Sequence, residues 1–384
     1  MNRADTTSIQ PAAQAKVQTL LDDLTRRDRE TGMQVAAYLG GKLVIDAWSG
    51  VANPQAHQPV AADTLFLAFS CAKGITATVI HQLVEAGKLD YDTPVAHYWP
   101  AFAANGKETV TVRHVLAHQE GIPQMPRRIT IEELCDWDAM VHMVEGLKPI
   151  WRPGTKTGYH GFTYGVILGE LAQRVDPRPF ARIVQDDICR PLGIDDLTLG
   201  VSDAVASRVA LIGGQRAPFL LLPPCFLVKQ SIPSGVEPGP KWNSPAIRHA
   251  VLPAGNLFTT ARSLARHYAA LIGDGVDGVR LLPPERVRIA TALATDGPDQ
   301  IFFGARIPKA LGYWLGGDEN GSDNAFGTRC NTFGHTGSGS MIGFADPEYQ
   351  FAFALVKNRM TWRFGKDTDT IVAQAVRAAL GIPH

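Results

Sequence analysis

Apolar and polar positions alternate differently in three parts of the chain. The segment from about Pro11 to Thr31 has helical spacing. Two short runs follow, Val35-Ala36-Ala37-Tyr38-Leu39 and Leu43-Val44-Ile45-Asp46-Ala47-Trp48, separated by Gly40-Gly41, which is the pattern of a β-hairpin. A strand-like run, Leu65 to Phe69, leads into Ile75, Val79, Ile80 and Leu83 at helical spacing, with Gly87 placed to cap the helix. From there to about Gly200 the pattern is mainly helical and includes a helix from Thr163 to Arg174. Strand pattern returns at Thr332-Phe333, Ser340 to Phe344 and Phe351 to Val356, and a last helix runs from about Asp367 to Leu380.

Strands at both ends with helices between them predict an α+β fold: one central antiparallel sheet built from both chain ends and flanked by helices, with an inserted, mostly helical domain. The expected division is 1–70 and 250–384 for the sheet domain and 71–249 for the helical one. The helical domain carries a Pro-rich apolar loop, 213–253. Its run from Phe219 to Leu227 reads either as a packed loop crossing the core or as an apolar wall over a pocket where the domains meet.

Composition narrows the classes. With Lys+Arg 37 against Asp+Glu 37 in 384 residues there is no net charge and no basic block, so nucleic acid is not an expected partner. No run reaches the roughly 18 apolar residues of a membrane span, and the first residues lack the apolar core of a secretory signal, so the chain reads as cytoplasmic. Five scattered cysteines without a C-x-x-C pair read as free thiols. No G-x-G-x-x-G opens a helix after a strand, and no cofactor is expected. His114 and His118 have i, i+4 spacing but lack the glutamate of H-E-x-x-H, so no metal is expected either. No serine has glycine at both −2 and +2, which argues against an α/β-hydrolase elbow.

The candidate chemistry begins at Ser70-Cys71-Ala72-Lys73, the one S-x-x-K of the chain. On a helix, positions i and i+3 share a face, so Lys73 can touch Ser70, and the helix N-terminus adds positive potential beside the hydroxyl. A neutral amine touching a serine is a nucleophile with its base. Two further stretches stand out. Trp151-Arg152-Pro153-Gly154-Thr155 delivers Tyr159 into the permissive segment Gly158-Tyr159-His160-Gly161. The small-residue run Gly334-His335-Thr336-Gly337-Ser338-Gly339-Ser340 leads into a strand, where glycines mark close approach of a backbone or ligand.

In this order the three stretches resemble the signatures of the serine β-lactamase and penicillin-binding-protein superfamily: S-x-x-K, a tyrosine motif and K-T-G. The chain looks most like class C β-lactamase-type esterases, the family VIII carboxylesterases. The resemblance runs from about Gln34 to Gly381 and takes in Thr111 to His118 with Gly121-Ile122-Pro123, and Pro253 to Ala261. It implies Ser70 as nucleophile, Lys73 as its base and Tyr159 as proton shuttle, acting as a phenolate if the lysine's charge draws it down. It also implies an oxyanion hole from the backbone N–H groups of Ser70 and Ser338, with His335 and Gly337 lining the substrate site. Two departures shape the expected substrate. Tyr159 is followed by His160-Gly161 rather than x-Asn, and His335 stands where the family has lysine. Histidine is mostly neutral at pH 7 and gains charge toward pH 6, so a fixed cation for a β-lactam carboxylate is missing. The implied function is a carboxylesterase acting on short- to medium-chain acyl esters through an acyl-enzyme on Ser70, with a small-molecule ester as partner. A β-lactamase, D-aminopeptidase or acyltransferase of the same superfamily, or a silent binding protein on the same fold, are the alternatives.

Overall fold

The structure is a computed structural model that describes residues 8–317, 325–361 and 367–383, with the side chains of Phe219 and Leu220 outside the description. Helix α1 (Pro11–Arg26) starts with proline in its first turn, where the missing N–H costs nothing. Strands β1 (Gly32–Leu39) and β2 (Lys42–Asn53) form the expected hairpin about Gly40 and Gly41, both at positive φ. Ten short strands follow along the chain: β3 (Gln58–Pro59), β4 (Phe66–Leu67), β5 (Leu197–Leu199), β6 (Gly213–Gly214), β7 (Leu257–Thr259), β8 (Trp314–Leu315), β9 (Phe333–Gly337), β10 (Met341–Asp346), β11 (Phe351–Lys357) and β12 (Arg359–Met360). The main sheet is seven-stranded and antiparallel, ordered β3-β2-β1-β11-β10-β9-β8, so its centre is the pairing of β1 from one chain end with β11 from the other.

One face of this sheet is covered by α1 and the last helix, Thr368–Ala379. Val17, Leu21 and Leu24 meet Val35, Ile45, Phe353 and Leu355 with Val372 and Val376 in a buried cluster. Each such side chain contributes about 1.5–3 kcal/mol on burial. The helix Ala261–Ala269 covers the opposite face of β1, β10 and β11. Helix α2 (Ala72–Glu85) is buried nearly all round, from Ala72 through His81, as an interior helix must be when it is apolar on every side. It packs on helix Thr163–Val175.

Three expectations need correcting. The run Leu65 to Phe69 does not make a long strand. Only Phe66–Leu67 pairs, and it joins β7 and β5 in a separate three-stranded sheet, because at Phe69 the chain turns through a left-handed residue. The central antiparallel sheet built from both chain ends is present as expected, and β6 with β12 makes a second small sheet beside it. The stretch Gly334 to Gly337 is itself strand β9 rather than a loop leading to one, since glycine lets β10 lie against it. The region 213–253 also contains short helices, Leu227–Ser231 and Pro245–His249, the second capped by Ser244.

Candidate active site

Ser70 sits in a 3-10 turn, Phe69–Cys71, that feeds directly into α2. Phe69 has φ +45, a conformation that costs a bulky L-residue on the order of 1–3 kcal/mol. The surroundings hold it there. The Phe69 ring is 1% exposed and tilts against Trp242 at 5.3 Å. Ala68 N–H donates to Leu257 O at 2.7 Å, and the Cys71 thiol donates to His335 O at 3.6 Å. The turn is thus tied on one side to β7 and on the other to the third motif. Gly337 is required here: a Cβ on it would lie 2.3 Å from the carbonyl oxygen of Ala68. That close approach is what brings Ser338 beside Ser70.

Lys73 is fully buried. Its Nζ donates to Gly161 O and Ala254 O, both at 2.9 Å, and lies 3.3 Å from Ser70 Oγ. Burial lowers its pKa well below the ordinary lysine value. A neutral amine has two N–H donors and one lone pair; the two carbonyls take the donors, which leaves the lone pair toward Ser70. Tyr159 donates its hydroxyl to Ser70 Oγ at 2.7 Å. Burial raises the Tyr159 pKa, so the phenol keeps its proton, and the phenolate foreseen from the lysine's charge is not the resting form. The same burial that lowers the Lys73 pKa disfavours the cation that would draw that proton off.

His335 lies behind the cleft rather than in its wall. It is 1% exposed, and the residues lining the cleft from this strand are Thr336, Gly337, Ser338, Gly339 and Ser340. Its Nδ1–H donates to Thr336 O at 2.7 Å, so Nε2 carries the lone pair, and that atom is buried with no hydrogen-bond partner. Burial pushes its pKa down to about 3. The expected gain of charge toward pH 6 does not occur. The third motif offers a neutral group.

The cleft holds about 290 Å³ and is bounded by Ser70, Tyr159, Ile232, Pro238, Phe302 and Trp314, with Asp367 and Asp369 also in its lining. The sequence reading missed Phe302, Trp314 and the two aspartates, which lie outside any motif. The Phe302 ring stacks on Tyr159 at 5.2 Å. The apolar loop does contribute a wall: Leu222, Leu227 and Val228 pack with Tyr159, and Ile232 and Pro238 line the cleft, while Leu221 is 91% exposed.

His114 belongs to a capping box with Thr111 and does not reach His118. Among the described residues, His118, Glu120 and His160 bring donor atoms within 4.8 Å of one another. The geometry does not suit a metal. His160 Nε2 accepts from Ile122 N–H at 3.0 Å and its Nδ1–H donates to Gly158 O at 2.6 Å, while His118 Nδ1 accepts from His160 N–H at 3.2 Å. Both ring nitrogens of His160 are engaged, Nδ1–H by Gly158 beside Tyr159 and the Nε2 lone pair by Ile122 N–H, so His160 ties the loop that carries Tyr159 to the 121–123 stretch. That is the role of the residue found where the tyrosine motif departs from the family pattern.

A serine, a buried lysine and a tyrosine converge at one cleft in this topology, and comparison with known proteins gives the class of fold. The family model described as Beta-lactamase matches residues 17–377. The chain belongs to that family, and its fold is β-lactamase-like. It is 36% identical over 342 residues to the esterase/beta-lactamase LipL of Mycobacterium tuberculosis, spanning 86% of this chain and 77% of LipL. A crystal structure of a family VIII carboxylesterase is similar with TM-score 0.87 at 28% identity, covering 97% of this chain and 98% of that one. A penicillin-binding-protein homologue from Caulobacter crescentus is similar with TM-score 0.84 at 30% identity, again over 97% and 98%. No helix among the described residues is long and apolar enough to cross a membrane.

Proposed function

We propose that the protein is a serine carboxylesterase that hydrolyses short- to medium-chain acyl esters through an acyl-enzyme on Ser70. The observation that carries this reading is the pair of contacts on one oxygen: Ser70 Oγ faces the Lys73 amine at 3.3 Å and receives the Tyr159 hydroxyl at 2.7 Å. Ser70 Oγ attacks the ester carbonyl while its proton passes to Lys73 Nζ, the neutral base. The backbone N–H groups of Ser70 and Ser338 receive the carbonyl oxygen as its charge develops. As the tetrahedral adduct collapses, the ester C–O bond breaks and Tyr159 gives its proton to the departing alkoxide. The proton on Lys73 returns to Tyr159, so the first half-reaction ends with acyl-serine, neutral lysine, phenol and free alcohol. Water then repeats the sequence in the alcohol's place and releases the acid.

Two features support an ester of an uncharged acyl chain over an anionic β-lactam. His335 is neutral where the family pattern has a lysine. The cleft wall beside Ser70 is Ile232, Phe302 and Trp314, with carboxylates rather than cations in its lining. LipL is named an esterase as well as a β-lactamase. The test is kcat/KM for p-nitrophenyl butyrate against nitrocefin, with labelling of Ser70 by a fluorophosphonate located by peptide mass. Faster nitrocefin turnover overturns the substrate assignment, and an unlabelled Ser70 overturns the mechanism.

A further inference from the structure

Asp299 and Lys309 form an ion pair at 2.9 Å in which neither side chain is more than 1% exposed. A buried ion pair is weak evidence for stability, since desolvation offsets most of the attraction. Its placement has to account for it. Asp299 Oδ1 accepts three backbone N–H groups: Tyr159 at 3.2 Å, Ile301 at 2.9 Å and Phe302 at 3.0 Å. Asp299 Oδ2 accepts from Lys309 Nζ, which also reaches Thr157 Oγ1 at 3.3 Å. Gln300 N–H donates to Thr157 O at 3.0 Å. One carboxylate therefore joins the backbone of Tyr159 to the backbone of Phe302, whose ring lies stacked on the Tyr159 ring at an interplanar angle of 26°.

A pair that served only to close its own hairpin would spend its bonds within residues 298–309. Here Asp299 bonds Tyr159, and Lys309 bonds Thr157, two residues before it. Lys309 also compensates the carboxylate, which alone would place an unbalanced negative charge near the phenol that has to release a proton.

We propose that Asp299, held by Lys309, is a positioning residue for Tyr159: it fixes the phenol between Ser70 and Phe302, and so sets the rate of proton delivery to the leaving alcohol rather than the affinity for substrate. This rests on the reading of Tyr159 as the proton donor. A misplacement of about an ångström at such a group costs on the order of 10²-fold in rate.

The experiment compares two esters of one acid, p-nitrophenyl butyrate and ethyl butyrate, because nitrophenolate leaves without a proton and ethoxide does not. Asp299→Ala is expected to lower kcat on the ethyl ester about 10²-fold, far less on the nitrophenyl ester, with KM nearly unchanged on both. In the Tyr159→Phe background the same substitution is expected to cost nothing further. Asp299→Asn keeps an acceptor for the three N–H groups and is expected to restore most of the rate, while still losing more on the ethyl ester. Thermal melts establish which variants are folded; should Asp299→Ala fail to fold, Asp299→Asn combined with Lys309→Met, a neutral pair, carries the same two-ester comparison. Equal losses on the two esters, or losses that multiply with Tyr159→Phe, overturn the proposal. If Tyr159→Phe itself leaves the ethyl ester rate unchanged, the proton route fails at Tyr159 and the positioning role falls with it.

Discussion

Tyr159 donates its hydroxyl to Ser70 Oγ at 2.7 Å, and it does so as a protonated phenol rather than as a phenolate. A shared oxygen between this donor and Lys73 makes the three residues one unit. Lys73→Ala and Tyr159→Phe are each expected to cost on the order of 10²-fold or more in kcat on ethyl butyrate, with the double variant costing much less than the product. Steady-state kinetics of the four proteins check this. Losses that simply multiply would separate the two proton paths.

Ser70→Ala removes the hydroxyl at the centre of that unit without disturbing the turn that Phe69 and Trp242 hold. Ester turnover is expected to fall to below a tenth of wild type, with an unchanged melting temperature. A variant retaining more than roughly a tenth of the rate excludes an acyl-enzyme on Ser70.

The pH profile follows from the two directions of shift. Lys73 acts as base only when neutral, and burial lowers its pKa well below the ordinary lysine value. The rate is therefore expected to fall as pH drops through that lowered value, with the falling limb at lower pH than an ordinary lysine would give. Tyr159 is shifted upward, so no descending limb is expected below about pH 10. An alkaline loss well below that would show the phenol titrating within the working range.

His335, with its pKa near 3, is neutral from pH 6 to 8. The ratio of nitrocefin to p-nitrophenyl butyrate turnover is expected to stay flat across that window. A ratio that climbs toward pH 6 would mean that the imidazole gains charge and captures the cephalosporin carboxylate.

Stability should be acid-sensitive. His81, His160, His267 and His335 have pKa values held near 3, and His118 is also far below its ordinary value, all by burial. Groups whose pKa is depressed on folding contribute stability that is present above the unfolded value of about 6.5 and lost as pH falls toward 3. Each costs about 1.4 kcal/mol one unit below 6.5. The buried Glu120 carboxyl, shifted upward, acts in the opposite direction. Urea unfolding is expected to require less denaturant at pH 5.5 than at pH 7.5, because the unfolded chain takes up protons that these buried imidazoles refuse. An unchanged urea midpoint over that range would show these imidazoles reaching solvent.

The parts of the site that were legible in the sequence are those set by local spacing. Ser70 and Lys73 are one helical turn apart, Tyr159 sits just after a Pro-Gly turn, and Gly337 marks a close approach that the Ala68 carbonyl explains. The order of strands and helices followed from apolar periodicity. What stayed hidden depends on long-range contact. Phe302, Trp314 and Asp299 come from a segment without a motif and reach Tyr159 only through the folded chain. The left-handed Phe69 goes against its own preference and is held by Trp242, far along the sequence. The neutrality of His335 comes from burial, which no spacing reveals.

The pairing of β1 with β11, Met33 opposite Lys357, has a consequence for how the molecule is made. During synthesis the hairpin of β1 and β2 emerges early, with the open edge of β1 exposed until almost the whole chain has followed. Contacts of such high sequence separation form slowly, and an unpaired edge is a template for association with other chains. Until β9 and β11 arrive, a growing chain already holds Ser70, Lys73 and Tyr159 but has no strand to place Ser338 beside them. On the proposed reading of Ser338 as an oxyanion donor, the site is completed only once β9 has joined the sheet, and the edge of β1 is the strand edge that stays open longest.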